Sequence, residues 1–121
     1  MTELRGAVDR AVLHELRESV GDDPGFVAEL IDEFVAAAPG HLETLREAAA
    51  AGDVTTAQRA AHTLKGNGRT FGAGKLAALC QEAETAAGAG DLEAVLARID
   101  QIAQEWAQVS AELVAYRDGG D

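Results

Sequence analysis

The sequence predicts an all-α protein, and three observations carry that reading. Of the 57 apolar residues in the 121-residue chain, 26 are Ala while only 9 are Val and 3 are Ile, a balance that favours helix formers over β-branched residues. Apolar positions recur at alternating steps of three and four over most of the chain, the period of a half-buried helix. The segments so marked are separated by Gly, Asp and Pro, which break helices or cap them. The expected architecture is an up-down antiparallel four-helix bundle with one or two accessory N-terminal helices. A single domain is expected over 1–121, its bundle core at about 20–117 and a frayed tail at 118–121.

The elements follow in order. A first segment, about 5–19, places Val12, Leu13 and Leu16 on one face and stops at Gly21-Asp22-Asp23-Pro24. The next sets Phe26, Leu30, Phe34 and Ala38 at four-residue steps, with Val27, Ile31 and Val35 beside them. Pro39 lacks an N–H and is expected to kink or restart this helix, after which Leu42, Leu45 and Ala49 continue the stripe to Ala51. Gly52-Asp53 and Gly90-Asp91 are twin junctions: Gly suits the left-handed residue that closes a helix, and Asp accepts the N–H groups that open the next. From Asp53 a stripe runs through Val54, Ala57, Ala61, Leu64, Gly68 and Phe71. A helix beginning after Gly72 or Gly74 turns Leu76, Leu79, Cys80 and Ala83 inward. The last, from Asp91, carries Ile99, Ile102, Trp106, Val109, Leu113 and Tyr116.

With 21 acidic against 10 basic residues the formal net charge is −11, which argues against binding a nucleic-acid backbone or an anionic membrane. Cys80 stands alone, so no internal disulfide forms. Met-Thr-Glu-Leu-Arg has no signal-peptide apolar stretch, charges interrupt every candidate membrane span, and the cytoplasm is the expected location.

One window departs from the acidic background. No acidic residue lies between Asp53 and Glu82, yet Arg59, Lys65, Arg69 and Lys75 all fall there. An anion or an acidic partner is expected at this segment. One step on from the apolar stripe, Gln58, His62, Lys65 and Arg69 line the flank of the buried face. His62 is expected to be half exposed. Lys65, at i+3, reads as a flank cation in water that adds less than about 1 kcal/mol to stability, and Gly66, at i+4, places no side chain beside the imidazole. Gly66 and Gly68 each cost a helix about 1 kcal/mol relative to Ala, and close approach by another molecule or helix is the expected reason. A neutral imidazole nitrogen is a good nucleophile towards a phosphoryl group near neutral pH. A nearby ammonium can balance the equatorial oxygens, and an open face admits the in-line partner.

These residues also match a family. His62-Thr63-Leu64-Lys65-Gly66, followed by Phe71-Gly72-Ala73 and then Leu76, Leu79, Cys80 and Glu84, resembles the signature of histidine-containing phosphotransfer (HPt) domains, with Ala61-His62 as the usual entry. The resemblance covers roughly 20–115, and Phe26, Leu30, Phe34, Leu42, Leu45 and Gly52-Asp53 resemble the preceding helical hairpin of that family. It implies a phosphorelay intermediate: His62 accepts a phosphoryl group from the Asp of a response-regulator receiver domain and exchanges it with another receiver or with a hybrid histidine kinase. Lys65 would then stabilise the phosphate, and Gln58, Arg59, Gly66 and Arg69 would meet the partner. Such a carrier is a monomer without nucleotide site or autokinase activity and needs no cofactor, the Mg²⁺ belonging to the receiver's acidic pocket. Asn67 and Gly68 stand where the family usually has Ser or Ala.

Rival readings are weaker. A noncatalytic helical adaptor binding through the His62 face would never be covalently modified. A di-iron bundle needs Glu-x-x-His pairs, whereas Ala11, Ala38 and Arg59 precede His14, His41 and His62 by three, so no metal is expected. His14-Glu15-Leu16-Arg17 resembles the phosphorylation box of histidine-kinase dimerisation helices, but Glu18-Ser19 follows where that box continues with Thr or Asn and Pro. His14 is therefore read as a surface residue, and His41, after Pro39-Gly40, has no evident role.

Overall fold

The computed structural model describes residues 6–119. It contains five helices, α1 (Arg10–Ser19), α2 (Pro24–Ala51), α3 (Val54–Thr70), α4 (Gly74–Gly88) and α5 (Leu92–Arg117). Within each junction from α2 onward the loop is only two or three residues long, so successive helices must run antiparallel. α3 packs on α2 and α4, and α5 closes the ring against α4 and α2. This is the expected up-down four-helix bundle, with α1 as one accessory helix.

The helix boundaries follow local chemistry. Asp9, Asp23, Asp53 and Asp91 each precede a helix and accept backbone N–H groups of its first turn. Gly52 and Gly90 adopt positive φ of 79° and 77° at the two junctions where the sequence calls for a left-handed residue. The core runs through the bundle as Ile31, Phe34, Leu45, Leu64, Leu76, Cys80, Val95, Ile102, Val109 and Leu113, all nearly inaccessible. Phe34 stacks on Phe71 with ring centroids 4.9 Å apart and receives the edge of Trp106 at the same distance. Burial pushes the Cys80 thiol up to about 12, so it packs as an inert apolar group.

The structure corrects three expectations. α1 begins at Arg10 rather than near residue 5, which lies outside the described residues; Ala7 and Val8 instead give their N–H groups to the Glu112 carboxylate of α5. Phe26 is 44 % exposed, and the buried row of α2 is Val27, Ile31, Phe34 and Ala38. Phe34 already meets the residue that ends α3, so the first turns of α2 project past that helix and bury the side turned towards α1 and α5. Pro39 does not restart α2, which is continuous to Ala51. Pro39 is exposed, so water can take the place of its missing N–H. His41 accordingly sits within the helix rather than at a bend. Of the expected tail, Asp118 caps α5, and Gly120 and Asp121 lie outside the described residues.

Candidate functional site

The middle of α3 positions the site. Its inner side, Ala57, Ala60, Ala61, Leu64 and Gly68, is buried against α2 and α4. That fixes the helix rotation, so His62 emerges from the opposite side with 66 % of its side chain exposed, more open than the sequence suggests.

The imidazole is nevertheless held. Its Nδ1 lies 2.9 Å from Glu84 Oε2 on α4. An ionised carboxylate can only accept, so Nδ1 carries the proton and donates, which leaves the Nε2 lone pair facing solvent. The other oxygen, Glu84 Oε1, is buried and has no aligned hydrogen-bond donor; the Lys65 ammonium at 2.6 Å compensates it as an ion pair. Lys65 Nζ also donates to Gln81 Oε1 at 3.0 Å, and Gln81 Nε2 donates to Thr85 Oγ1. Desolvation works to raise the Glu84 carboxyl, but the adjacent Lys65 ammonium, the hydrogen bond from His62 and the coulombic attraction of both outweigh it and hold the carboxyl below its ordinary value. Glu84 therefore stays ionised beside the imidazole.

Lys65 departs from the expectation of a cation in water, since its side chain is only 11 % exposed. The reason is Glu84, which comes from a different helix and lies just beyond the acid-free window. It supplies the carboxylate that draws the Lys65 ammonium inward over the apolar stem. Gln81 and Glu84, three apart on α4, complete the network. Gln81 has no signal in the sequence; Glu84 carries one only through the family pattern.

Around the imidazole lies a shallow hollow of about 350 Å³ lined by Thr55, Gln58, Arg59, His62, Thr63 and Glu84. Gln58 and Arg59 thus share the His62 surface. Arg69 does not: it lines a separate hollow beside the α3–α4 turn. A cleft of about 360 Å³ where α5 ends is lined by His14, Arg17, Tyr116 and Arg117. Its arginines are engaged by Asp22 and Asp32, and His14, half-buried rather than simply superficial, has Nδ1 3.2 Å from the Tyr116 hydroxyl. Among the described residues no group of His, Cys, Asp or Glu could hold a metal ion, and no helix is long and apolar enough to cross a membrane.

The two helical glycines separate in role. A Cβ at Gly66 would meet nothing within 4 Å, whereas one at Gly68 would lie 3.4 Å from Ala73 O and Ala77 N. Gly66 leaves the surface beside His62 open, and Gly68 lets α3 and α4 come together. Gly66→Leu is expected to preserve stability or raise it by up to about 1 kcal/mol, yet to obstruct transfer from a receiver. Gly68→Leu should instead cost about 1–3 kcal/mol by overpacking. Urea denaturation paired with a phosphotransfer assay checks both, and a Gly66→Leu protein that unfolds early but transfers normally would reassign that glycine to packing.

A family model of the Hpt domain matches residues 29–112. The chain belongs to the Hpt domain family. Its fold is similar to the crystal structure of histidine-containing phosphotransfer protein B (HptB) from Pseudomonas aeruginosa PAO1, with a TM-score of 0.86 and 31 % sequence identity, over 98 % of this chain and 100 % of that one. Comparison with curated proteins finds no match. Membership in the Hpt family gives the functional class, phosphoryl transfer in a phosphorelay, and leaves the atoms that perform it to the site just described.

Proposed function

We propose that this chain, acting as one domain over its length, is a phosphorelay carrier that takes a phosphoryl group on His62 Nε2 from the aspartyl phosphate of a receiver domain. The observation that carries the reading is the pairing of a solvent-facing Nε2 with an Nδ1 tied to an ionised carboxylate. The Nε2 lone pair attacks phosphorus in line; the P–N bond forms as the P–O bond to the aspartate breaks, and that carboxylate leaves with the electron pair. The ring then holds both the phosphoryl group and the Nδ1 proton and becomes formally cationic, and Glu84 directly offsets that charge. Reversal returns the phosphoryl group to the same or another receiver.

Lys65 takes the role of positioning Glu84 and keeping it ionised, with its positive charge near the equatorial oxygens. Gln58, Arg59 and Gly66 form the surface met by the receiver or hybrid kinase. Nothing in this arrangement calls for a nucleotide or for self-phosphorylation, and the protein acts as a monomeric carrier inside the cytoplasm. Incubation with phosphorylated receiver domains should yield a phosphoprotein, acid-labile and base-stable, whose modification maps to His62 by mass spectrometry. Stable binding of a receiver with no adduct would favour the adaptor reading instead.

A further inference from the structure

The cleft where α5 ends, of about 360 Å³, shares no lining residue with the hollow around His62. Three helices wall it. His14 and Arg17 come from α1, Pro24 and Ala28 from the first turns of α2, and Tyr116 and Arg117 from the end of α5. Pro24 and Ala28 give it an apolar side that is open to water. No acidic residue lines it, although the protein carries a formal net charge of −11. A concave space with an apolar wall and a few placed polar groups is the usual make-up of a small-molecule site.

Its polar groups keep donors to spare. Tyr116 is 8 % exposed, and its hydroxyl lies 3.2 Å from His14 Nδ1. With the imidazole neutral, the pair holds two protons, one on the phenol and one on the ring. In either tautomer their mutual hydrogen bond spends one, and the other remains to be donated. Arg117 gives Nη1 to Asp32 and Nε to Asp118, which uses two of the five N–H groups of a guanidinium. Arg17 Nε is 3.7 Å from Asp22, beyond hydrogen-bond length. The side chains of all three aspartates are more than half exposed, so water weakens their hold on the arginines.

We propose that this cleft binds a small organic anion, a carboxylate carried on a short apolar body. The carboxylate, which can only accept, meets the two guanidinium groups and the remaining donor of the His14–Tyr116 pair. The body lies against Pro24 and Ala28. A bare inorganic anion leaves that apolar side in water, whereas an apolar body covers it. The ligand touches α1, α2 and α5 at once and ties the accessory helix to the bundle. Because the cleft exists only in the folded chain, occupancy raises stability by mass action.

The test is thermal unfolding of the full chain in increasing sodium benzoate or sodium hexanoate, with ionic strength held constant by sodium chloride. Tm should rise saturably, by roughly 5 °C at ten times the dissociation constant. Benzyl alcohol, which lacks the carboxylate, and inorganic phosphate, which lacks the apolar body, should each give less than half that rise at equal concentration. Arg17→Gln/Arg117→Gln removes both guanidinium groups, and Ala28→Leu fills the cleft while keeping them; each should abolish the rise. Ala28→Leu decides alone if the arginine variant folds poorly. No saturable rise with either carboxylate overturns the proposal, as does a rise that persists in Ala28→Leu, which would place the anion elsewhere on the surface. An equal rise with phosphate overturns the organic class, and an equal rise with benzyl alcohol overturns the anion.

Discussion

His62→Gln is expected to abolish phosphotransfer while leaving the fold intact. The side chain is two-thirds exposed and contributes one hydrogen bond, to Glu84, so glutamine should change stability by no more than about 1 kcal/mol. It offers no nucleophilic ring nitrogen, so labelling from a phosphorylated receiver should fall to background, a loss of several orders of magnitude. His14→Gln separates this from a general effect. His14 Nδ1 faces the Tyr116 hydroxyl rather than a carboxylate, so that variant should be labelled like the parent. Labelling and circular dichroism on the same preparations make the comparison, and an adduct that survives His62→Gln would move the phosphoacceptor elsewhere.

The fold was legible because its signals are local. Asp53 and Asp91, with Gly52 and Gly90 before them at the twin junctions, are read from chemistry within a few residues, and the structure places caps and left-handed turns there. The inaccurate positions are those settled by neighbours distant in sequence. Phe26 stands in good four-residue register with Phe34, yet α3 has ended by the level of Phe34, so no third helix covers it. Ahead of the Asp9 cap of α1, the N–H groups of Ala7 and Val8 go to Glu112, more than a hundred residues away, rather than into a further helical turn. No periodicity within the first twenty residues contains that information.

At the site the division is similar. His62 and Gly66 could be placed outward from helix angle alone, because the Ala-rich stripe of α3 fixes its rotation. Whether Lys65 lies in water depended on what α4 presents opposite it, and the spacing within α3 is silent on that. Gln58 and Arg59 belong to the His62 surface through proximity on one helix, whereas Arg69, nearly collinear with His62 but two turns further along α3, lines another hollow beside Gly72.

The buried pair changes what substitution of Lys65 should do. Were Lys65 a flank cation, its removal would scarcely alter stability. With its side chain 11 % and that of Glu84 18 % exposed, Lys65→Met leaves a desolvated carboxylate with only His62 as partner, and Glu84→Gln leaves a desolvated ammonium. Each single change is expected to cost roughly 2–4 kcal/mol, the lower part of the range for breaking a buried pair being apt because both groups retain some water. The double variant removes both charges and should recover part of that loss, giving a coupling of about 1–3 kcal/mol in urea denaturation. The pH dependence has a definite sign. The Glu84 carboxyl lies below its ordinary value of 4.5 in the folded state, so its stabilisation is fully present above that value and is lost as the pH falls through the lower, folded one. The gap between parent and Glu84→Gln should therefore be constant near neutrality and close only in acid. Transfer at neutral pH should also slow in both single variants, because each disturbs the carboxylate that holds the Nδ1 proton. If Lys65→Met unfolds at the parent's urea midpoint, the ammonium contributes nothing to the fold, and its role would be confined to the phosphoryl group.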